Sequence, residues 1–310
     1  MKNKKVLIIG LGISGIAAVK ALNKLGINII AYDDKAKEEL QDIINIFKNY
    51  KIEYHFGDYN FNISDIDIAI KSPGISLDIP LIRRLKEKNI SVISDVEAAY
   101  RHTNNRIIAI TGTNGKTTTT TLIGELLKSS NINNKVTGNI GSGILLDAVN
   151  SCENEILVAE VSSFQLESTE NFKPNICVIT NITPDHVDWH KGFHNYINAK
   201  FMITKKQDKE DYCILNYDDP VIKDKIKAIR AKIILFSTKE KLKEGIYTHN
   251  GKMVYAKNNI IEEIIDIDDI FIPGKHNLEN AMAATAVATI LKVPIKVIRK
   301  VLKEFKGIEH

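Results

Sequence analysis

Apolar runs alternate with helical patterns along the first part of the chain, and this alternation predicts a small α/β domain. Short aliphatic runs bounded by turn-forming residues are typical of strands that are buried on both faces. They lie at residues 6–9, 27–32, 66–70 and 90–93. A helical pattern follows the first run, and Gly26 is placed to end that helix. Strands and helices in this order favour a doubly wound, mostly parallel sheet.

The pattern continues over the rest of the chain and predicts a second α/β domain. Apolar, β-branched runs predict strands at residues 107–110, 155–161, 175–181, 212–216 and 232–236. Residues 245–272 predict a small antiparallel β excursion, because Asn250-Gly251 is a strong hairpin signal. An alanine-rich helix is predicted at residues 281–291. We therefore expect the second sheet to be mostly parallel.

The segment after the strand at 107–110 has the layout of a P-loop ATPase. It runs TGTNGKT and leads into a helical pattern. Glycines let backbone N–H groups point at a phosphate, Lys116 neutralises phosphate oxygens, and the hydroxyl of Thr117 suits Mg²⁺. Ile110 stands where the common form has its first glycine, so the loop is the shorter Gly-x-x-Gly-Lys-Thr form. A plain glycine turn with a surface lysine is the alternative.

A second glycine-rich loop follows the first strand. GLGISG at residues 10–15 precedes a helix, and Asp33 ends the next strand 21 residues after Gly12. This is the Rossmann-like dinucleotide fingerprint, with a pyrophosphate site at the helix N-terminus and a carboxylate for the ribose. The stretch alone favours NAD. A UDP group offers the same pyrophosphate and ribose, and it remains the alternative.

Polar residues follow two strands of the second domain. Glu160 ends the strand at 155–161, where a metal-holding acid belongs beside a phosphate loop, although it could instead cap the next helix. Asp185, His186, Asp188 and His190 form a dense group after the strand at 175–181. Their spacing differs from the usual zinc helix, so Mg²⁺ is favoured as the metal.

Three further features have an ordinary structural alternative. Ser72-Pro73-Gly74 follows a strand end, where open α/β sheets bind ligands, but it could be a simple turn. Lys200 lies on a predicted helix, where a lysine is normally solvated. Asn277 and Asn280 lie three residues apart at a helix start, as caps or as amides that contact a base.

Composition narrows the class of protein. The chain has 310 residues, 44% hydrophobic and 26% charged, which suits about two globular domains. The net charge of +4, with acids and bases interspersed, argues against a nucleic-acid surface. No apolar run approaches a membrane span, and the three cysteines have no zinc or disulfide spacing. We expect a cytoplasmic monomer that neither binds nucleic acid nor inserts into a membrane.

Eight motifs occur together and in order. They are GLGISG (10–15), SPGI (72–75), TGTNGKTTTTTL (111–122), GNIG (138–141), AEVSSFQLE (159–167), TNITPDHVDWH (180–190), YINAK (196–200) and GKHNLENAMAA (274–284). With them the whole chain resembles the Mur ligase family of the bacterial cell-wall pathway. SPGI and SSFQLE point to the branch that adds D-glutamate. The resemblance implies an ATP-dependent ligase that joins D-glutamate to UDP-N-acetylmuramoyl-L-alanine through an acyl phosphate.

The resemblance also implies ligands for particular residues. The UDP-linked precursor would be held by Ile13 and Ser14 at its pyrophosphate, by Asp33 and Asp34 at its uridine, and elsewhere by Gly74, Asn139, Ser162, Gln165 and His186. ATP would be held by Gly112, Thr113, Asn114, Gly115, Lys116, Thr117 and Thr118 at its phosphates, and by Asn277 and Asn280 at its adenine.

By the same resemblance, two Mg²⁺ ions take part in the reaction. Thr117 and Glu160 would ligate one ion, and His186 and Lys200 the second. In this family the lysine is carbamylated, which turns a cation into an anionic ligand. The implied catalytic residues are therefore Lys116, Glu160, His186 and Lys200.

The family pattern divides the chain into a UDP-precursor domain at 1–95, an ATP domain at 96–307 and a stub at 308–310. The family carries a third domain of about 100–150 residues after such a stub. Because that domain closes over ATP and binds D-glutamate, we expect this chain to bind ATP weakly and to ligate slowly or not at all. Two alternatives stay open: a fragment that binds both nucleotides without turnover, and an NAD-dependent oxidoreductase built on GLGISG.

Overall fold

The computed structural model describes residues 4–308, which form two compact units. The first unit contains the described residues up to Asn104, together with Gly141–Ser151 and Phe164–Phe172. The second contains Asn105–Ile140, Cys152–Ser163 and the described chain from Lys173 onward. The domain limits expected from the sequence stay a prediction. Of the expected stub, Glu309 and His310 lie outside the described residues.

The strands of the described chain form two sheets. In chain order they are β1 (Lys5–Ile9), β2 (Asn28–Asp33), β3 (Ile52–Phe56), β4 (Ile68–Lys71), β5 (Ser91–Ser94), β6 (Ile107–Thr111), β7 (Asn134–Gly138), β8 (Ile156–Glu160), β9 (Ile176–Ile179), β10 (Tyr212–Asn216), β11 (Lys232–Ser237), β12 (Gly245–His249), β13 (Lys252–Lys257) and β14 (Ile260–Asp266).

Helices connect most of these strands. In chain order they are α1 (Ile13–Lys24), α2 (Gln41–Ile46), α3 (Pro80–Glu87), α4 (Asp95–His102), α5 (Lys116–Ser129), α6 (Ile144–Asn150), α7 (Ser163–Leu166), α8 (Phe193–Phe201), α9 (Pro220–Lys225), α10 (Lys275–Ile290) and α11 (Ile295–Glu304). Short 3-10 helices lie at Lys37–Leu40, Met202–Thr204, Ile226–Ala228 and Ile267–Asp269. Among the helices of residues 4–308, none combines the length and apolar character of a membrane crossing.

The sheet of the first unit is parallel throughout, in the order β3-β2-β1-β4-β5. Its central strand β1 is buried from Val6 to Ile9, as expected of a parallel sheet covered on both faces. α1 ends as predicted, because Gly26 takes a φ of +67° and Ile27 N–H closes the last turn on the Leu22 carbonyl. The loops after β1, β2 and β4 therefore emerge at one edge of the sheet.

The sheet of the second unit has the order β14-β13-β12-β11-β10-β9-β6-β8-β7. β7 to β12 pair in parallel, and β13 and β14 add an antiparallel edge through a turn in which Asn250 and Gly251 both have positive φ. β6, which carries the phosphate loop, lies between β8 and β9. The polar segments that follow these three strands are thus brought to the same sheet edge.

The alanine-rich helix α10 packs against α5, the helix of the phosphate loop. Ala281, Ala283 and Ala284 on it are completely buried, together with Leu122 and Leu126 of α5 in the same apolar core. Small side chains allow two helices to approach closely. The packing brings the first turn of α10 next to the phosphate loop.

A buried carboxylate fastens a distant segment to the first unit. Glu97 of α4 is fully buried, and its Oε2 accepts the backbone N–H groups of Glu170, Asn171 and Phe172 at 3.0, 2.9 and 2.8 Å. Its Oε1 accepts a hydrogen bond from Arg101 at 2.7 Å. A buried carboxylate with four donors is fully satisfied, so residues 164–172 are an integral part of this unit.

The predicted fold class is confirmed, but several elements were missed, and three of them show why. β3 and β7 lie at sheet edges, where half-exposed strands lack the continuous apolar run that marks a central strand. The third element, α11, carries apolar residues at helical spacing, with Ile298, Val301 and Leu302 buried. That pattern was available in the sequence.

Candidate active site

The phosphate loop of the second unit takes a shape that only glycine permits at two positions. Gly112 and Gly115 have φ values of +147° and +79°. A Cβ atom at Gly112 would overlap the hydroxyl of Thr180, and one at Gly115 would overlap the side-chain amide of Asn280. The sequence pattern Gly-x-x-Gly is therefore required here by both backbone conformation and close packing.

Residues from the segment after β9 hold this loop in place. Asn114 N–H donates to the Asn181 side chain at 2.9 Å, and the Thr180 hydroxyl donates to the Asn114 carbonyl at 2.7 Å. Thr113 accepts the N–H of Thr183 at 3.0 Å. Sequence analysis assigned Thr180 and Asn181 no part in the site. Their position at the end of a strand beside the phosphate loop was the signal that could have found them.

Lys116 begins α5, and Glu160 lies next to the first turn of that helix. The Lys116 ammonium donates to the Thr113 carbonyl of its own loop at 2.8 Å. Burial lowers the pKa of Lys116, while the carboxylates of Glu160 and Asp185 oppose that shift. This arrangement holds a positive charge beside the first amides of a helix, where anions bind.

The Glu160 carboxylate contacts Thr117, the residue paired with it as an expected metal ligand, and also Asn139. Glu160 is 2% exposed at the end of β8. Its Oε2 accepts the Thr117 hydroxyl at 2.7 Å, and its Oε1 accepts the Asn139 amide at 3.2 Å. Thr117 and Glu160, the first pair of expected metal ligands, are therefore adjacent. These contacts place the Glu160 carboxylate at the start of α5.

Lys200 is a buried lysine beneath the phosphate loop. It lies on α8, is 2% exposed, and its Nζ donates to the Gly112 carbonyl at 2.6 Å. The same nitrogen lies 4.6 Å from the centre of the Tyr196 ring. The pKa of Lys200 is lowered to about 7, mainly by burial and also by the nearby charge of Lys116, while Asp185 and Glu160 oppose the shift. Near neutral pH the side chain therefore exists partly as the free amine.

The acid- and histidine-rich segment does not form one cluster. His186 has a side chain that is 50% exposed, with its Nε2 3.4 Å from Asp185, whereas His190 is buried and lies 3.0 Å from the Ser163 hydroxyl. Within residues 4–308 no group of three or more His, Cys, Asp or Glu side chains is placed to hold a metal. The side chains expected to form one dense group at 185–190 therefore do not come together, because His186 is half-exposed and His190 is buried.

The two asparagines of α10 have different neighbours. Asn280 is 5% exposed and contacts Gly115, and the Thr119 hydroxyl donates to it at 3.3 Å. The Asn277 amide donates to the Pro273 carbonyl at 2.8 Å, which fixes the turn that precedes the helix. Asn280 therefore abuts the phosphate loop, and Asn277 lies one turn earlier.

In the first unit, the glycine-rich loop is packed against the SPGI loop. The Ser72 hydroxyl donates to the Gly10 carbonyl at 2.8 Å, and a Cβ atom at Gly15 would overlap that same carbonyl. Ile13 begins α1 and is 79% exposed, and Ser14 follows it half-buried. Because no side chain caps this helix start, its amides suit an anionic ligand.

The acidic pair after β2 divides into a buried and an exposed residue. Asp33 is 7% exposed and accepts the N–H groups of Leu11 at 2.7 Å and Lys35 at 3.1 Å. Its carboxylate therefore anchors the glycine-rich loop. Asp34 is exposed, as is Gly74 of the SPGI loop. Of the two acids, Asp34 is the one that a ligand can reach directly.

Three expected precursor contacts lie in different units. Asn139 is exposed and Ser162 half-buried, both in the second unit. Gln165 belongs to the first unit and is fully buried, with its amide nitrogen 2.9 Å and 3.2 Å from the two carboxylate oxygens of Asp95. The buried carboxylate of Asp95 thus fixes the orientation of the Gln165 amide. Sequence analysis assigned Asp95 no part in the site.

Two family models match the chain. Residues 4–94 match the Mur ligase MurD-like, N-terminal domain, and residues 110–288 match the Mur ligase middle domain. The chain belongs to the Mur ligase family. The resemblance inferred from the eight motifs is therefore confirmed, and the nicotinamide interpretation of GLGISG is not supported.

Individual relatives agree with this membership. The chain is 44% identical over 313 residues to UDP-N-acetylmuramoylalanine--D-glutamate ligase of Alkaliphilus oremlandii, with all of this chain and 69% of that protein covered. It is 43% identical over 312 residues to the ligase of the same name from Clostridioides difficile. That comparison also covers 100% of this chain and 69% of the relative.

Solved structures show the same fold at low identity. UDP-N-acetylmuramate:L-alanyl-gamma-D-glutamyl-meso-diaminopimelate ligase from Neisseria meningitides superposes with a TM-score of 0.66 at 16% identity, covering 99% of both chains. UDP-N-acetylmuramate-alanine ligase from Thermotoga maritima superposes with a TM-score of 0.57 at 21% identity, covering 98% of this chain and 69% of its own. The Mur ligase fold is thus common to members with different named substrates.

Proposed function

We propose that this Mur ligase chain acts in the ATP-dependent joining of D-glutamate to UDP-N-acetylmuramoyl-L-alanine. The observation that carries the proposal is the contact between Thr117 and Glu160, 2.7 Å apart at the start of α5, with Lys116 beside them. That arrangement suits a nucleoside triphosphate and its Mg²⁺. The relatives at 44% and 43% identity carry the D-glutamate ligase name, which supports the choice of substrates.

In the proposed reaction the precursor carboxylate attacks the γ-phosphorus of ATP, which gives an acyl phosphate and ADP. The amine of D-glutamate then attacks the acyl carbon, phosphate leaves, and an amide remains. Lys116 and the amides of the phosphate loop hold and neutralise the phosphate oxygens. Asn280 supports the loop from α10, and Asn277 is assigned to the adenine.

The residues present fit a magnesium ion at the first expected site. Hydroxyl and carboxylate oxygens are the ligands that Mg²⁺ prefers, and it usually takes the remaining ones from water and phosphate. Thr117 and Glu160 supply those two oxygens. When bound, the ion supplies charge neutralisation on the phosphate oxygens. The second expected pair, His186 and Lys200, fits only if Lys200 becomes an oxygen ligand.

Carbamylation of Lys200 is part of the proposal. The buried amine lies against the Gly112 carbonyl, and burial keeps part of it uncharged near neutral pH, the form that adds carbon dioxide. A carbamylated nitrogen keeps one N–H, which is enough to retain the bond to Gly112. The product is an anion where the unmodified chain has a cation. Cytoplasmic location and a monomeric state also stay predictions.

Incubation with ¹³C-bicarbonate is expected to give a carbamate carbonyl resonance in the wild-type chain and none in Lys200→Ala. The resonance should grow as pH rises through about 7, because the fraction of free Lys200 amine rises. Lys206→Ala, which removes an exposed lysine nearby, is the matched control and should keep the signal. A signal of equal size in the Lys200 variant would refute the assignment.

Glu160→Gln is expected to remove the dependence of ATP binding on Mg²⁺. The wild-type chain should bind Mg·ATP about tenfold or more tightly than metal-free ATP, while the variant should show less than a twofold difference. Glu125→Gln on the exposed face of α5 is the control. Isothermal calorimetry with and without Mg²⁺ measures both values. An unchanged Mg²⁺ effect in Glu160→Gln would contradict the ligand assignment.

The substrates are tested by calorimetry with UDP-N-acetylmuramoyl-L-alanine, Mg·ATP and NADH as separate probes. Binding of the first two and no binding of NADH is expected. Any phosphate release by this chain should require the precursor and D-glutamate together, and L-glutamate should not replace D-glutamate. Failure of the wild-type chain to bind the UDP-linked precursor would overturn the proposal.

A further inference from the structure

A lysine that no role above uses is buried in the first unit. Lys71 ends β4, and its side chain has no exposed surface. Lysine is rarely fully buried unless its charge is paired, because moving an ammonium from water into a protein interior is costly. The surroundings of Lys71 must therefore compensate its charge.

Three acceptors surround the Lys71 ammonium. It donates to the Ile75 carbonyl at 3.0 Å and the Phe164 carbonyl at 3.2 Å, and it lies 3.3 Å from a carboxylate oxygen of Glu167. The two carbonyls accept hydrogen bonds, and the carboxylate supplies the opposite charge of an ion pair. Burial lowers the pKa of Lys71, and Glu167 and Asp95 oppose the shift.

These partners belong to the two segments of the first unit that the family resemblance assigns to the UDP-linked precursor. Ile75 follows Gly74 in the SPGI loop, and Phe164 precedes Gln165 in the segment 164–172. The Gln165 amide nitrogen donates to a carboxylate oxygen of Asp95 at 2.9 Å. One ammonium thus fixes the backbone of both segments. Phe164 lies 93 residues after Lys71 in the chain.

The glycine-rich loop is held without Lys71. Ser72 N–H donates to the Ile9 carbonyl at 2.9 Å, and the Ser72 hydroxyl donates to the Gly10 carbonyl at 2.8 Å. The start of the SPGI loop is therefore tied to β1 independently of the lysine, whereas its end at Ile75 is tied to the lysine. Removing the ammonium should release the second attachment and leave the first.

We infer that Lys71 is a positioning residue for the UDP-linked precursor, which sets the backbone at Gly74–Ile75 and at Phe164–Gln165 for the part of the ligand beyond its pyrophosphate. The inference rests on the proposed function. Because removing one partner of a buried ion pair usually lowers stability, a loss of stability alone does not separate this role from a purely structural one. A positioning role instead predicts a selective loss between two ligands.

The test compares UDP with UDP-N-acetylmuramoyl-L-alanine in calorimetry of the 310-residue chain and its Lys71→Met variant. Affinity for the complete precursor should fall about tenfold or more, equivalent to about 1.4 kcal/mol, while affinity for UDP stays within about twofold. Lys86→Met, which removes an exposed lysine from α3, should change neither. Equal affinities of the wild type and Lys71→Met for the precursor, or equal losses for both ligands, would overturn the inference.

A second variant covers the case in which Lys71→Met does not fold. Glu167→Gln keeps the size of the side chain but removes the negative charge that faces the ammonium. It should therefore lower the affinity for the precursor selectively, but by a smaller factor than Lys71→Met. An unselective loss or no loss in that variant also overturns the inference. If the wild-type chain itself does not bind the precursor, the proposed function fails first, and the two failures are thereby distinguished.

Discussion

Lys116→Ala is expected to weaken the binding of Mg·ATP about 100-fold, equivalent to about 3 kcal/mol, and to leave the affinity for the UDP-linked precursor within about twofold. The lysine supplies a charge-assisted bond to phosphate oxygens that an alanine cannot replace. Its ammonium is held over the phosphate loop by the Thr113 carbonyl at 2.8 Å, and burial already lowers its pKa. Calorimetry with each ligand separately measures both effects.

Lys128→Ala is the matched control for this prediction. Lys128 lies on the same helix, α5, and its side chain is 74% exposed, 3.6 Å from Glu125. Losing a solvated surface charge should alter neither affinity. If Lys116→Ala weakened both ligands equally, the assignment of ATP and the precursor to separate loops would be wrong.

Gly15→Ala is expected to lower the free energy of unfolding of the first unit by about 3 kcal/mol and to abolish measurable UDP binding. The added Cβ atom would overlap the Gly10 carbonyl, which also accepts the Ser72 hydroxyl. Neither backbone group can move without pulling α1 away from the end of β1. Urea unfolding followed by circular dichroism gives the stability, and calorimetry gives the affinity.

Gly12→Ala in the same loop separates stability from binding. Gly12 has a φ of −71°, and no atom lies within 4 Å of the position that an added Cβ atom would take. Its stability should therefore change by no more than about 0.5 kcal/mol. Its UDP affinity should nevertheless fall, because the residue lies where a pyrophosphate approaches the helix start. Equal stabilities of the two variants would show that the predicted overlap at Gly15 is relieved by a small shift.

Local sequence signals predicted the phosphate loop and its neighbours well. The apolar run of β6, the two glycines and Lys116-Thr117 are consecutive, so the strand, the loop and the helix start could all be recognised from a single stretch. Glu160 was found because it ends a strand next to such a loop. Each inference needed only the rule that parallel strands present their carboxyl ends at one edge.

Contacts between distant segments could not be predicted in this way. The attachment of residues 164–172 to the first unit depends on Glu97 and Lys71, and no periodicity in the sequence reports it. The group at 185–190 failed for a related reason. Closeness along the chain suggested one cluster, but the side chain of His186, where φ is +49°, is half-exposed, whereas His190 is buried.

The bonds from Glu97 to residues 170–172 also set an order of events during synthesis on the ribosome. α4 leaves the ribosome about 70 residues before its partners, which takes several seconds at about 5–20 residues per second. Until then the Glu97 carboxylate has none of these three N–H donors and favours water. The nascent first unit therefore stays incomplete while β6 to β8 of the second sheet are already being made, and the two units mature in overlapping rather than successive steps.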